Sequence, residues 1–301
     1  MSRLLLYVML PVLIACALIA SRFVSWDRLK GEDPKALQFV VKGTELLGER
    51  TDRGNRSAIS AFTRAVEISP EYAEAYVKRG LAHYRLGEYR KAIDDYTQTL
   101  SLNRYAADAY YSRGDAHRAL GDYQRAIADY TASLEKRWAG FVIWKRAATY
   151  LEMGDTQRAL ADYEAAIERK PGAAAYYYRS IAYARLGEDQ LVLADLDKAI
   201  EIEPAFAEAY LRRGETHLRL NQPDAAESDY HKVVQLSTDE IQGWGEAHPT
   251  LGPIYFRRAA AYQHLGRYEE ALADYEKVIA LQPGSEIAQQ AVGELNMGTD
   301  E

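Results

Sequence analysis

The most regular chemistry in this sequence is a set of arginines that are each followed by an aspartate sixteen residues later. A guanidinium and a carboxylate can form an ion pair, and a pair copied along a chain is typical of structure, because a reaction needs one site. We therefore predict six ion pairs that each lock two helices together. They are Arg79 with Asp95, Arg113 with Asp129, Arg146 with Asp162, Arg179 with Asp195, Arg213 with Asp229, and Arg258 with Asp274.

Other residues that could carry chemistry show no catalytic or metal-binding pattern. His83, His117 and His217 occupy one place of a repeated segment where other copies carry tyrosine, which indicates packing. The sequence has no phosphate-binding glycine loop, no HExxH and no nucleophile elbow. Its one cysteine, Cys16, excludes an intramolecular disulfide and any multi-cysteine metal site. We expect no enzymatic activity, no metal, no cofactor and no small-molecule substrate.

The composition fits a folded, acidic chain. Its 301 residues are 48% hydrophobic, which is enough for a substantial core. The 37 Lys and Arg against 44 Asp and Glu give a formal net charge of -7, so nucleic acid is not an expected partner. Tyrosine is unusually frequent, with 23 Tyr against 6 Phe and 4 Trp. This excess needs a structural explanation.

A segment of about 34 residues recurs along the chain. One copy starts at Ala75 as AYVKRGLAHYRLGEYRKAIDDY, and another starts at Ala109 as AYYSRGDAHRALGDYQRAIADY. Apolar residues three and four apart predict two amphipathic helices in each copy. The glycine between them, replaced by Asn221 in the sixth copy, suits a left-handed residue that ends the first helix. Helical hairpins of this period stack on one another and share a core.

These copies resemble the tetratricopeptide repeat (TPR) family, whose pattern sets aromatic, small and glycine residues at fixed places. In the copy from Ala73 those places hold Tyr76, Gly80, His83, Gly87, Ala92 and Tyr96. The resemblance implies an all-α, right-handed superhelical solenoid of seven TPR helix hairpins over residues 36–283. The expected repeats are 36–72, 73–106, 107–139, 140–172, 173–206, 207–251 and 252–285.

The resemblance also implies a binding groove. In this family the first helix of each repeat faces the concave side through its second, fifth, ninth and twelfth positions, and the groove binds a peptide or helical segment of a protein partner. The alternative for the aromatic members is contact with the next helix inside the stack. The candidate groove residues are Tyr84, Tyr111, Arg118, Phe141, Trp144, Leu151, Tyr177, Ile181, Leu211 and Phe256.

The sixth and seventh copies are separated by an insertion of about eleven residues, in the segment 237–253. We predict a loop there. Trp244 stands between two glycines, and either contacts a partner or folds back onto the adjacent helix. An alternative function follows from this loop or from the convex face, because either could make the protein a structural or assembly subunit of a larger membrane-associated complex.

The C-terminal segment 284–301 is predicted to contain a capping helix and a tail. Ser285 suits its N-cap, and Ile287, Ala291 and Leu295 fall on one helical face, which would cover the last repeat. Terminal repeats need such a cap, because their outer face has no further repeat to bury it.

The first thirty residues form a separate segment. Residues 4–20 carry no charge, which predicts one hydrophobic N-terminal helix acting as a membrane anchor or signal segment. Three interpretations stay open: an uncleaved transmembrane span, a cleaved export signal, or a bacterial lipoprotein signal with lipid on Cys16. Basic residues on both sides leave the side of the membrane undecided. The sequence therefore predicts a membrane-tethered scaffold that binds protein.

Overall fold

The computed structural model describes residues 33–245 and 248–298, and these residues form helices with no strand among them. The all-α prediction is confirmed. The helices are α1 (Pro34–Gly48), α2 (Asp52–Ile68), α3 (Ala73–Arg85), α4 (Tyr89–Leu102), α5 (Ala107–Ala119), α6 (Tyr123–Lys136), α7 (Gly140–Glu152), α8 (Thr156–Arg169), α9 (Ala173–Arg185), α10 (Asp189–Ile202), α11 (Ala207–Arg219), α12 (Pro223–Trp244), a short 3-10 helix (Pro249–Leu251), α13 (Gly252–His264), α14 (Tyr268–Leu281) and α15 (Glu286–Gly298).

The predicted N-terminal segment 1–30, including Cys16, lies outside the described residues. Across residues 33–245 and 248–298, the structure contains no helix with the length and apolar character that a membrane crossing requires.

The described residues form two compact units, the first ending at Trp138 and the second beginning at Ala139. Within each unit the helices pack as consecutive pairs, and the second helix of one pair also packs against the first helix of the next. This is the arrangement that a repeated helical hairpin requires, because no single pair buries both of its faces. The pairs are α1 with α2, α3 with α4 and α5 with α6 in the first unit, and α7 with α8, α9 with α10, α11 with α12 and α13 with α14 in the second, where α15 covers α14.

Each turn inside a pair depends on one residue in the left-handed region. Gly121 has φ 76°, and the next residue, Asp122, donates its backbone N–H to the carbonyl of His117 at 2.9 Å. This bond closes the C-terminal end of α5 in the way that a left-handed residue allows. Asn221 takes the same conformation with φ 55°, as its place in the sixth copy predicted.

The small residue in the middle of a first helix makes room for a tyrosine of the second. A Cβ atom on Gly114 would lie 2.9 Å from the ring of Tyr130, and one on Gly80 would lie 2.8 Å from the ring of Tyr96. Both rings are almost completely buried. The glycines therefore set the close approach of the two helices in each of these pairs.

The insertion between the sixth and seventh copies is largely helical, so the predicted loop is wrong for residues 237–244. Helix α12 has 22 residues, whereas the corresponding second helices α10 and α14 have 14. Ser237 and Ile241 lie one turn apart on the buried side of this extension, at 0% and 4% exposure. Their burial extends the helix past the point where its counterparts end.

The predicted capping helix is present as α15, but its buried face is shifted. Ala288 and Leu295 are buried, whereas Ile287 is 69% exposed and does not belong to this face. Ala291 is partly buried and packs into the same cluster. The spacing from Ala288 to Leu295 is two helical turns, so the register is set by packing of α15 on α14.

Candidate functional site

All six predicted ion pairs form, and each is bidentate. The Nη2 atom of the arginine lies 2.6–2.7 Å from one carboxylate oxygen, and Nε lies 2.7–2.9 Å from the other. The aspartate side chains are at most 10% exposed and the arginines at most 21%. Each pair joins the two helices of one hairpin, so these residues serve the fold.

Three of these arginines, Arg79, Arg113 and Arg213, also reach a residue of the preceding pair sixteen positions earlier, through contacts that were not predicted. Arg79 donates from Nη1 to Thr63 Oγ1 at 3.3 Å, and Arg213 from Nη1 to Asp197 Oδ1 at 2.6 Å. The signal was a polar residue sixteen positions before the arginine. Five of the six guanidinium groups also lie 5.3–5.7 Å from the ring of a tyrosine three residues earlier. These arginine–tyrosine contacts account for part of the tyrosine excess.

The predicted groove residues of the first unit gather around one carboxylate. Tyr130 donates its phenol O–H to Asp115 Oδ1 at 2.6 Å, and its ring lies 6.2 Å from that of Tyr111. Tyr84 and Arg118 are both partly exposed, and burial raises the pKa of Tyr84 and Tyr111 above the ordinary value. These side chains therefore combine partial exposure with contacts inside the unit.

The second unit carries a continuous set of aromatic rings, here called the aromatic surface, made of Trp144, Tyr177, Tyr178 and Phe206. The Tyr178 ring lies 5.9 Å from Trp144 and 5.5 Å from Tyr177, and Tyr177 lies 5.0 Å from Phe206. Tyr178 is 38% exposed, and Phe141, one turn before Trp144 on α7, is 46% exposed. The surface combines side chains from α7 and α9 with Phe206, the residue before α11.

Sequence reasoning missed two members of the aromatic surface. Tyr178 follows the fifth position of α9 and reaches Trp144 of the preceding pair, whereas Phe206 precedes α11. The signal for Tyr178 was a third consecutive tyrosine at positions 176–178, which places one aromatic ring on the side of the neighbouring first helix.

Three candidates of the second unit contribute to packing. Leu151 is only 5% exposed, so its side chain lies mainly in the packed interior, and its assignment to the groove stays a prediction. Arg185 of α9 donates to the Leu151 carbonyl, in the last turn of α7, at 2.7 Å. Phe256 meets the Tyr275 ring edge-on at 5.4 Å, and Leu211 packs beside the buried Tyr230. Ile181 is partly exposed on α9.

Two buried donors beside the aromatic surface have no acceptor among the described residues. They are the indole Nε1 of Trp144 and the guanidinium Nε of Arg212. The Arg212 guanidinium lies 5.6 Å from the centre of the Tyr177 ring. A buried donor without a partner is costly, so these two atoms are prominent features of the surface.

Trp244 ends the extension of α12 and is 60% exposed, with its ring 4.9 Å from that of His248. The extension itself is anchored by Arg257, which is 8% exposed. Arg257 donates from Nη2 to Glu240 at 2.8 Å and from Nε to Ser237 at 3.2 Å, and also pairs with Glu208. A firmly held helix therefore presents an exposed indole.

The histidines serve packing in the first unit, as predicted. His83 is 9% exposed and His117 8% exposed, and His83 Nδ1 lies 2.5 Å from Glu88 Oε2. In the part of the chain that the structure describes, no group of three or more histidine, cysteine, aspartate or glutamate residues could hold a metal ion.

Family models of the tetratricopeptide repeat match residues 55–87, 77–140, 145–204, 207–240 and 253–285. Together these stretches span more than half of the chain. The chain therefore belongs to the tetratricopeptide repeat family, as its sequence pattern predicted. The boundaries assigned to the seven repeats stay a prediction.

Solved structures share the fold at low sequence identity. A tetratricopeptide repeat protein from Parabacteroides merdae ATCC 43184 is 18% identical, with a TM-score of 0.66 over 88% of this chain and 100% of its own. The C-terminal part of a TPR repeat-containing protein from Cytophaga hutchinsonii is 18% identical, with a TM-score of 0.56 over 83% and 98%. MamA from Desulfovibrio magneticus RS-1 is 23% identical, with a TM-score of 0.50 over 56% and 96%. The search of curated proteins gave no match.

Proposed function

We propose that this protein is a membrane-tethered, non-enzymatic scaffold that binds a peptide or helical segment of a protein partner on the groove side of its first helices. TPR proteins mediate protein–protein interactions. The observation that carries the proposal for this chain is the aromatic surface of the second unit. Partly exposed aromatic rings held on packed helices are typical anchors for a protein segment, because they bury much area at little entropic cost.

The placement of the charged residues supports a role without catalysis. The charged residues that recur with fixed spacing form bidentate ion pairs between helices, as Arg179 does with Asp195. The TPR fold is typically an interaction scaffold. A scaffold needs rigid spacing of its binding side chains, and the repeated pairs supply that rigidity.

The binding proposal is tested by replacing Tyr111, Trp144 and Tyr177 together with alanine in the full chain. Cross-linked partners of this variant are compared with those of the natural chain in the native cell. The matched control is Tyr268→Ala, because Tyr268 is 50% exposed on a second helix. We expect partners to be lost in the triple variant alone, and an unchanged partner set would refute the proposal.

The membrane tether rests on the sequence of residues 1–30, with the uncharged run from 4 to 20 as its support. The mass of the purified intact protein separates the three interpretations. An unmodified chain from residue 1 or 2 indicates a span, a diacylglyceryl group on Cys16 indicates a lipoprotein, and an unmodified shorter chain indicates a cleaved signal. Recovery of the untreated protein in the soluble fraction would contradict tethering.

A second candidate function is favoured by Trp244. An indole that is 60% exposed at the end of an anchored helical extension is a contact point for assembly into a larger membrane-associated complex. This function predicts that Trp244→Ala changes the size of the native complex on gel filtration, whereas the triple groove variant leaves it unchanged. The opposite result favours the groove.

A further inference from the structure

Arg212 stands apart from the arginines around it. Its neighbour Arg213 binds both Asp229 and Asp197, and Arg257, at the same position of the next first helix, binds both Glu208 and Glu240. Arg212 forms no ion pair with any residue of the described ranges, and Glu215, three residues further along α11, does not neutralise it. Its contact is the face of the Tyr177 ring. The surface therefore holds one partly buried, unneutralised cation.

The buried Nε atom of Arg212 indicates where on the guanidinium an acceptor of a ligand would bind. This atom is closed off from solvent yet has no acceptor, so a ligand oxygen placed there would remove a desolvation cost already present in the unbound protein. A carboxylate gives the strongest bond, because it pairs charge with the hydrogen bond and matches the planar guanidinium. An acidic group is therefore the ligand group that best suits Arg212.

The indole of Trp144 supplies a second unmet donor on the same surface. Its Nε1 atom is also buried without an acceptor. The rings of Tyr178 and Tyr177 connect it to Arg212 in three steps that are each below 6 Å. The two side chains are therefore within roughly 17 Å of each other, which about five residues of extended chain span at about 3.3 Å per residue.

We propose that this surface binds an extended segment of a protein partner through one acidic side chain. An Asp or Glu of the segment accepts from Arg212, an oxygen further along accepts from the Trp144 indole, and an apolar side chain between them packs on Tyr177 and Tyr178. The acid is an internal residue, because first helices continue on both sides of α11, with α9 before it and α13 after it. This inference rests on the proposed function and names the partner's chemistry.

Phage display with the full chain in detergent tests the inference. The probe is a library of random twelve-residue peptides fused at the N-terminus of a coat protein, so that no peptide has a free carboxyl end. Retained peptides are expected to be enriched in Asp or Glu within about five residues of an aliphatic or aromatic residue. The best peptide is then synthesised with a fluorophore, and its affinity is measured by fluorescence anisotropy.

Variants of Arg212 in the protein and of the acidic residue in the peptide test whether these two groups contact each other. Arg212→Gln is expected to weaken the peptide about tenfold, and replacing the acidic residue of the peptide with its amide is expected to do the same. Combining the two changes should give no further loss, because they remove one interaction. Arg212→Lys keeps the charge but removes the Nε donor, so we expect an intermediate loss. Lys232→Gln on α12 is the matched control and should change nothing.

The outcomes separate this inference from the proposed function. Retained peptides without acidic enrichment, or a loss below twofold in Arg212→Gln, would overturn the acidic contact while the scaffold stands. A second library, displayed with free carboxyl ends, tests the position of the acid: an acidic preference found only in that library would show that the carboxyl end binds and not an internal side chain. Equal binding by the Tyr111, Trp144 and Tyr177 triple alanine variant, or no retained peptide, would refute the scaffold and this inference with it. Circular dichroism confirms that each variant is folded.

Discussion

Removing one partner of an arginine–aspartate pair should cost more stability than removing both. The pair of Arg179 with Asp195 is a suitable test, because the aspartate side chain is 5% exposed and the arginine 19% exposed. Asp195→Ala leaves a largely desolvated guanidinium without its carboxylate. Arg179→Met combined with Asp195→Leu replaces both groups with apolar side chains of similar size, which leaves no buried charge.

The magnitudes follow from the burial of the pair. Loss of one partner from a fully buried pair costs about 3 to 5 kcal/mol, and the residual exposure of Arg179 lets water recover part of this. We therefore expect Asp195→Ala to lower the free energy of unfolding by about 2 to 3 kcal/mol. The double replacement should lower it by about 1 kcal/mol or less, because methionine and leucine fill the same space.

Urea unfolding followed by circular dichroism at 222 nm gives the free energies, provided that the slope with urea is the same for all variants. The matched control is Glu201→Gln on the same helix, whose partner Lys198 is exposed, and it should leave the midpoint unchanged. A double variant that is as unstable as Asp195→Ala would show that the cost does not come from an unpaired arginine, and the reasoning would fail.

Three further predictions concern the turns, the close packing and the histidines. Gly114→Ala should lower the free energy of unfolding by about 1 to 3 kcal/mol in urea titrations, because its Cβ would meet the Tyr130 ring at 2.9 Å, whereas Gly293→Ala, with open space around it, should not destabilise. Asn221→Ala should cost about 1 kcal/mol by thermal unfolding, since alanine adopts the left-handed region poorly, and Asn221→Gly should not. Burial lowers the pKa of His117, so the fold favours its neutral form and stability should fall as pH drops below about 6.5, where the unfolded histidine gains its proton. In His117→Tyr, which carries the residue found at this place in other copies, the difference in melting temperature between pH 7.5 and pH 5.5 should shrink; an unchanged difference would contradict this origin.

The repeat period of the sequence predicted the contacts and turns that form within a single copy. The arginine–aspartate pairs and the left-handed turn at Asn221 depend on residues within one copy, and both are present in the structure. The reason is that helical spacing and turn chemistry are local, so a repeated pattern predicts them once for every copy.

Contacts between first helices could not be predicted in the same way. Whether Tyr178 reaches Trp144, or Arg185 reaches the Leu151 carbonyl, depends on how neighbouring helices are offset. That offset is set by packing, and no residue spacing within one copy encodes it. The same cause shifts the buried face of α15 from Ile287 to Ala288.

The helical extension of α12 was not predicted. The insertion of about eleven residues was interpreted as a loop, yet α12 continues to Trp244 because Ser237 and Ile241 are buried on its inner side. Gly245 then ends the helix with φ 79°.

The arginine bridges between pairs show how this array accepts an insertion. Arg213 contacts Asp197, the ninth residue of α10, whereas Arg258 contacts Thr238, the sixteenth residue of α12. The difference of seven residues is close to two helical turns, so the bonding side chain points in almost the same direction about 10 Å further along the axis. Arg258 therefore contacts almost the same side of α12 despite the insertion. Two added helical turns in a second helix are thus compatible with an arginine contact from the next hairpin.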